Sequence, residues 1–109
     1  MNKTYKVAAV LMDIEAELRS IGCWDLQAPP PEALRSEQPF AVDTLTFSQW
    51  LQFIFIPRMQ FLIDQKQPLP NASGIAPMAE ESFRGMQLPI KGLITALQTV
   101  DALLGSQSS

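Results

Sequence analysis

The residues best suited to chemistry in this chain are Asp43, Trp50, Phe53, Pro57 and Arg58. An arginine presents a planar fork of donors that matches a carboxylate or phosphate. Trp50 and Phe53, a few residues earlier, can wall a small recognition site beside it. The same residues also have a plainer use. Arg58 lies in an apolar stretch, and a buried guanidinium needs a carboxylate or several carbonyls. Asp43 is the first partner to expect, with Asp13 or Glu17 the second. A structural ion pair of this kind is the more economical reading, because buried arginines are usually paired.

Other reactive side chains form weaker patterns. Asp13, Glu15 and Glu17 share one segment, and Glu80 and Glu81 are adjacent. Carboxylate-bridged metal bundles also use histidines at fixed spacing, and this chain has no histidine. The acids read as solvated helix faces, and no metal or cofactor is expected. Cys23 is the only cysteine. It has no histidine to activate it and no second cysteine to form a redox pair. No phosphate-cradling glycine loop or nucleophile-elbow motif occurs. The sequence therefore argues against an enzyme, and no catalytic residue is assigned.

Composition narrows the partners. The 109 residues are 47 % hydrophobic and 17 % charged, enough for one domain with one core spanning 1–109. Eight Lys and Arg against eleven Asp and Glu give a net charge of −3. Direct nucleic-acid binding needs clustered cations, so it is not expected. The apolar run after Lys3 and Lys6 ends at Asp13, too short for a signal peptide. The segment QWLQFIFIPRMQFLI (49–63) is interrupted by Gln52, Pro57, Arg58 and Gln60, so it is not a membrane span. These features predict a cytoplasmic protein with no membrane association.

The elements that must position these residues are helical. Val7, Leu11, Ile14, Leu18 and Ile21 recur at helical spacing, predicting a helix over about 3–21 that Gly22 stops. The next stretch, Cys23 to Val42, holds Pro29, Pro30, Pro31 and Pro39. It is expected as a long ordered loop with a single turn over Glu32–Ser36, pinned by Trp24, Leu34 and Phe40. Thr46, Phe47, Ser48 and Gln49 match a capping box, opening a helix over about 47–66. Apolar residues surround that helix, which predicts a buried central element kinked at Pro57. Residues 68–77 read as a turn-rich linker, with Ser73 or Gly74 preceding a helix over about 75–84. Glu80 and Glu81 are read as favouring the start of that helix. The last helix is expected over about 88–104, with Pro89 in its first turn and a frayed tail beyond Gly105. No alternating pattern reads as strand. The predicted fold is all-α, a four-helix bundle with a long Pro-rich loop after the first helix.

The series QPF, DT, QWLQ, IPRM, KQPLP and IAP across residues 38–81 resembles the YqcC-like family of small bacterial proteins. The shared positions include Phe40, Asp43, Thr44, Trp50, Leu51, Pro57, Arg58, Met59, Pro68 and Pro70. The resemblance implies a single all-helical domain. It implies no catalytic residues. Members are sometimes labelled by association with tRNA pseudouridine synthase C, although this chain lacks the size and αβ character expected of such a synthase.

The sequence supports two functional expectations. The first is a cytosolic accessory or interaction module with a protein partner, possible partners including an RNA-modifying enzyme. It requires exposed apolar surface near Arg58, and Trp50→Ala should cost binding more than folding. The second is a binder of a small apolar or anionic ligand in a pocket near Trp50 and Arg58. A homodimer through an apolar seam is compatible with either.

Overall fold

In the computed structural model, residues 3–70 and 74–105 are described. The first helix, α1 (Lys3–Ser20), buries Val7, Leu11, Ile14 and Leu18 along one face, with Val10 beside them. It ends as the glycine predicts. Gly22 adopts φ +78°, and the amides of Gly22 and Cys23 return to the carbonyls of Arg19 and Leu18. Those two bonds form a Schellman closure, which needs a left-handed residue at this position.

The 47–66 segment is a composite rather than one kinked α-helix. It opens as α2 (Phe47–Trp50), widens into a π turn (Leu51–Phe55) and resumes as α3 (Ile56–Asp64). The capping box is present as predicted. The Gln49 amide donates to Thr46 Oγ1 at 3.2 Å, and the Thr46 amide donates to Gln49 Oε1 at 2.9 Å. Pro57 explains the π turn. Proline has no amide to donate and clashes with a carbonyl one turn back. The Ile56 amide reaches five residues back to Leu51, and α3 begins there. Pro57 thus falls in the first turn of a new segment, where no donor is needed.

The composite helix is not buried all round. Its inner face, with Phe47, Leu51, Phe55, Ile56 and Met59, enters the core. On the other side Pro57, Arg58, Gln60 and Phe61 are exposed, and Phe53 and Ile54 are half-buried. The reason is architectural. α3 packs on α1, and Pro57, Arg58, Gln60 and Phe61 are left outside that contact. At its end, Lys66 takes φ +55° while the amides of Lys66 and Gln67 return to Ile63 and Leu62. A lysine fills the left-handed place that glycine fills after α1, at a steric cost of about 1–2 kcal/mol.

The helix α4 (Ile75–Ser82) starts after Gly74, which has φ +60°. The expected Ser73 cap and the tail beyond Gly105 lie outside the described residues. Glu80 and Glu81 fall in the last turn of α4, not the first, where negative charge opposes the helix dipole. Arg84 offsets this by pairing with Glu81. The last helix, α5 (Lys91–Gly105), starts later than predicted, because Leu88 and Ile90 close a tight turn ahead of it. Its buried stripe is Leu93, Ala96, Leu97, Val100 and Leu104. α5 packs on both α1 and α4, which makes it the centre of the bundle core.

One carboxylate fastens two of these helices. Asp101 on α5 accepts from the amides of Ile75 and Ala76 at 2.9 and 2.8 Å. It caps the start of α4 from a neighbouring helix, satisfying donors that a helix start leaves open. Asp101→Ala is expected to destabilise the protein by about 2 kcal/mol. In urea unfolding, the midpoint should fall with an unchanged slope, and Asp101→Asn should lie between the two.

Candidate functional site

The π turn gathers three parts of the chain. Gln52, only 8 % exposed, spends its whole amide on the backbone of Asp25. Its Oε1 accepts from the Asp25 amide at 2.9 Å, and its Nε2 donates to the Asp25 carbonyl at 2.8 Å. Gln49 Nε2 adds a bond to the Asp25 carboxylate at 3.1 Å. The loop after α1 is thereby clamped to the composite helix. Trp24 packs against the core beside this clamp, and the Arg19 guanidinium lies 4.6 Å from its ring centre.

The same loop builds a wall over the open side. It forms two short 3-10 turns, Ala33–Arg35 and Pro39–Ala41. The first matches the predicted turn; the second was not foreseen. Thr44 Oγ1 donates to the Ala33 carbonyl at 2.7 Å and ties the two together. Phe40 and Ala41 both adopt positive φ, +57° and +49°. This conformation is costly for residues with a side chain, and most of all for a bulky one. What holds Phe40 there is its ring, 4.8 Å from Trp50 in an edge-on contact and 6.2 Å from Phe47. Trp50 also stacks on Phe47 and Phe55, and Phe47 meets Phe83 edge-on.

Between this wall and the outer face of the composite helix lies a cleft. A hollow of about 500 Å³ is bordered by Phe40, Trp50, Phe53, Ile54 and Arg58. A second, about 290 Å³, adjoins it and runs inward to Phe55, Met59 and Ile75. Of the five residues singled out from the sequence, Trp50, Phe53 and Arg58 come together on this cleft. Pro57 is exposed and shapes the helix from outside it. Asp43 is exposed and accepts a hydrogen bond from Ser36 Oγ.

The expected ion pair of Arg58 with Asp43 is absent. The ion pairs among the described residues are Glu15–Arg19 and Glu81–Arg84. Arg58 is exposed because it follows Pro57 on the uncovered side of the helix. Asp13 and Glu17 border a separate groove between α1 and α5. There Gly92 lies close to Glu17: a Cβ at this position would be 2.5 Å from the Glu17 carboxylate, the flexible end of a side chain that can move aside. Phe40 and Ile54 were not assigned to the site from sequence. Phe40 was expected only to pin the loop, and spacing alone could not bring that loop across to Trp50.

Comparison with known proteins places this fold. A family model described as tRNA pseudouridine synthase C matches residues 6–103. The chain belongs to the YqcC-like family. It is 40 % identical over 105 residues to the uncharacterized protein YqcC of Escherichia coli, covering 95 % of each chain. An uncharacterized Haemophilus influenzae protein is 34 % identical over 93 residues, covering 85 % of this chain and 87 % of the other. A Pectobacterium carotovorum protein named tRNA pseudouridine synthase C is 34 % identical over 87 residues. These are 80 % of this chain but 23 % of that protein. The solution NMR structure of E. coli YqcC superposes with a TM-score of 0.82 at 37 % identity, covering 100 % of this chain and 93 % of that one. The all-helical fold is therefore that of YqcC. No helix among the described residues is long and apolar enough to cross a membrane.

The clamp makes a direct prediction. Gln52→Ala leaves the Asp25 amide and carbonyl without their partners, at a cost of about 2–3 kcal/mol. Amide hydrogen exchange should accelerate in residues 23–28 before it does in α5. Equal acceleration in both would mean the clamp does not hold the loop.

Proposed function

We propose that this YqcC-like protein is a non-enzymatic accessory module that docks on an RNA-modifying enzyme in the cytoplasm, with a C-type tRNA pseudouridine synthase as the first candidate. The Pectobacterium relative carries this reading. There a region similar to this chain makes up 23 % of a protein that bears the synthase name. Two units joined in one polypeptide are held at high effective concentration. A separate chain of the same family must reach its enzyme by binding. The chain itself offers little for catalysis, since it has no histidine and one cysteine. It does offer a docking face, the cleft of Trp50, Phe53 and Arg58 with exposed Phe61 one turn further along α3.

The geometry changes which variant is informative. Trp50 contacts Phe40, Phe47 and Phe55. Its truncation therefore costs folding as well as surface. Arg58 and Phe61 are exposed and report on binding more cleanly.

A second reading draws on the larger hollow. Its volume of about 500 Å³ lies within the usual range for small-ligand sites. An apolar anion such as octanoate raising the melting temperature of the isolated chain would support it.

The docking reading predicts that the purified chain binds the purified synthase of the same organism, measured by calorimetry, with a Kd of roughly micromolar order. Arg58→Glu with Phe61→Ser should weaken binding about tenfold or more, whereas Leu26→Ser, at an exposed site in the loop after α1, should not. Failure of the unmodified chain to bind would remove the synthase as partner.

A further inference from the structure

The two hollows of the cleft differ in character but share a border. Pro39, Phe40, Trp50, Ile54 and Arg58 line both. The larger continues past Ser36 and Gln38, and is mainly polar. The smaller continues to Phe55, Met59 and Ile75, and is apolar. Arg58 stands where they meet, exposed, with no ion-pair partner among the described residues. Asp43, the partner expected from the sequence, accepts a hydrogen bond from Ser36. The wall opposite is held in place by the packing of the Phe40 ring on Trp50 and Phe47. An apolar hollow with one unmatched cation at its rim suits a ligand with an apolar body and one negative group.

We infer that the cleft takes an extended segment of the partner polypeptide in which a carboxylate lies two residues from a large apolar side chain. The carboxylate pairs with the Arg58 guanidinium, and the apolar side chain fills the smaller hollow against Trp50, Ile54 and Met59. This rests on the reading that the protein docks on another polypeptide. A carboxylate fits better than a phosphate for two reasons. Among the described residues, one arginine is the only cation bordering either hollow, and its planar fork matches a single carboxylate edge to edge. The net charge of −3 also works against a multiply charged ligand such as nucleic acid. Two hollows side by side suit a chain, because alternate residues of an extended strand lie roughly 7 Å apart on one face. A compact molecule fills one hollow and leaves the other open.

The test selects peptides from a random linear display library on the immobilised full chain. Their affinities are then measured for the unmodified protein and for Arg58→Gln. The expected consensus has Asp or Glu two residues from Leu, Ile, Met or Phe. Arg58→Gln should weaken the selected peptide about ten- to a hundredfold, with an unchanged circular dichroism spectrum and melting curve. Replacing the peptide acid by its amide should cost a similar factor, and the two changes together little more than either alone. Selected peptides without an acid, equal affinity for Arg58→Gln, or no enrichment would overturn the inference. Competition with the synthase separates the two proposals. If the synthase binds and the selected peptide does not displace it, the cleft assignment falls and the partner stands. If the peptides behave as expected and the synthase does not bind, the enzyme assignment falls and the cleft stands.

Discussion

A single missing amide organises the structure. Pro57 sits inside an apolar segment that would otherwise form one continuous α-helix. A helix interior cannot accept it without losing a hydrogen bond and straining a turn. The chain answers by lengthening one turn so that Ile56 bonds to Leu51, and the helix restarts with proline where no donor is required. An inserted residue of this kind rotates the downstream segment by roughly 100° about the helix axis. Arg58 and Phe61 consequently face outward, while Ile56 and Met59 keep the core filled.

The π turn is also where the long loop is fixed. Gln52 lies within it and replaces the missing backbone partners of Asp25 with its own side-chain amide. Buried polar groups are tolerated when fully satisfied, and among the described residues no buried side-chain nitrogen or oxygen lacks a partner. The loop can then run across the open side of the composite helix without a strand or long helix of its own. Its far end presses Phe40 onto Trp50. That contact offsets the cost of a left-handed aromatic residue and gives the cleft a rigid wall. A loop held this firmly at both ends suits recognition better than a floppy connector does.

The rest of the bundle is a platform. α5 packs between α1 and α4, and Asp101 holds the start of α4 from across the gap. The composite helix adds its inner face to this core and leaves its outer face for the loop and the cleft. The division leaves one side to the core and the other to the cleft. It also explains why an acidic chain carries its one unmatched cleft cation on an apolar surface. Paired with Asp43, Arg58 would be a structural strut; left open, it is available to a partner.

Local chemistry in the sequence was enough to determine the helices. The stripe from Val7 to Ile21, the stop at Gly22, the capping box at Thr46 and the stripe from Leu93 to Leu104 each depend on residues within a turn or two, so they were legible. Trp50, Phe53 and Arg58 were also legible as a group, because all three lie within nine residues of one helix. What the sequence could not decide was which faces would be covered. The 49–63 segment is apolar on every side, and only the placement of α1, α4 and α5 determines which side is buried. The charge partner of Arg58 was misread for the same reason: Asp43 was expected to meet it, yet Asp43 accepts a hydrogen bond from Ser36 and Arg58 stays exposed. The Gln52–Asp25 clamp spans 27 residues and the Asp101 cap 25 or 26. Bonds of that separation exist only once the chain has folded, because no local preference encodes them.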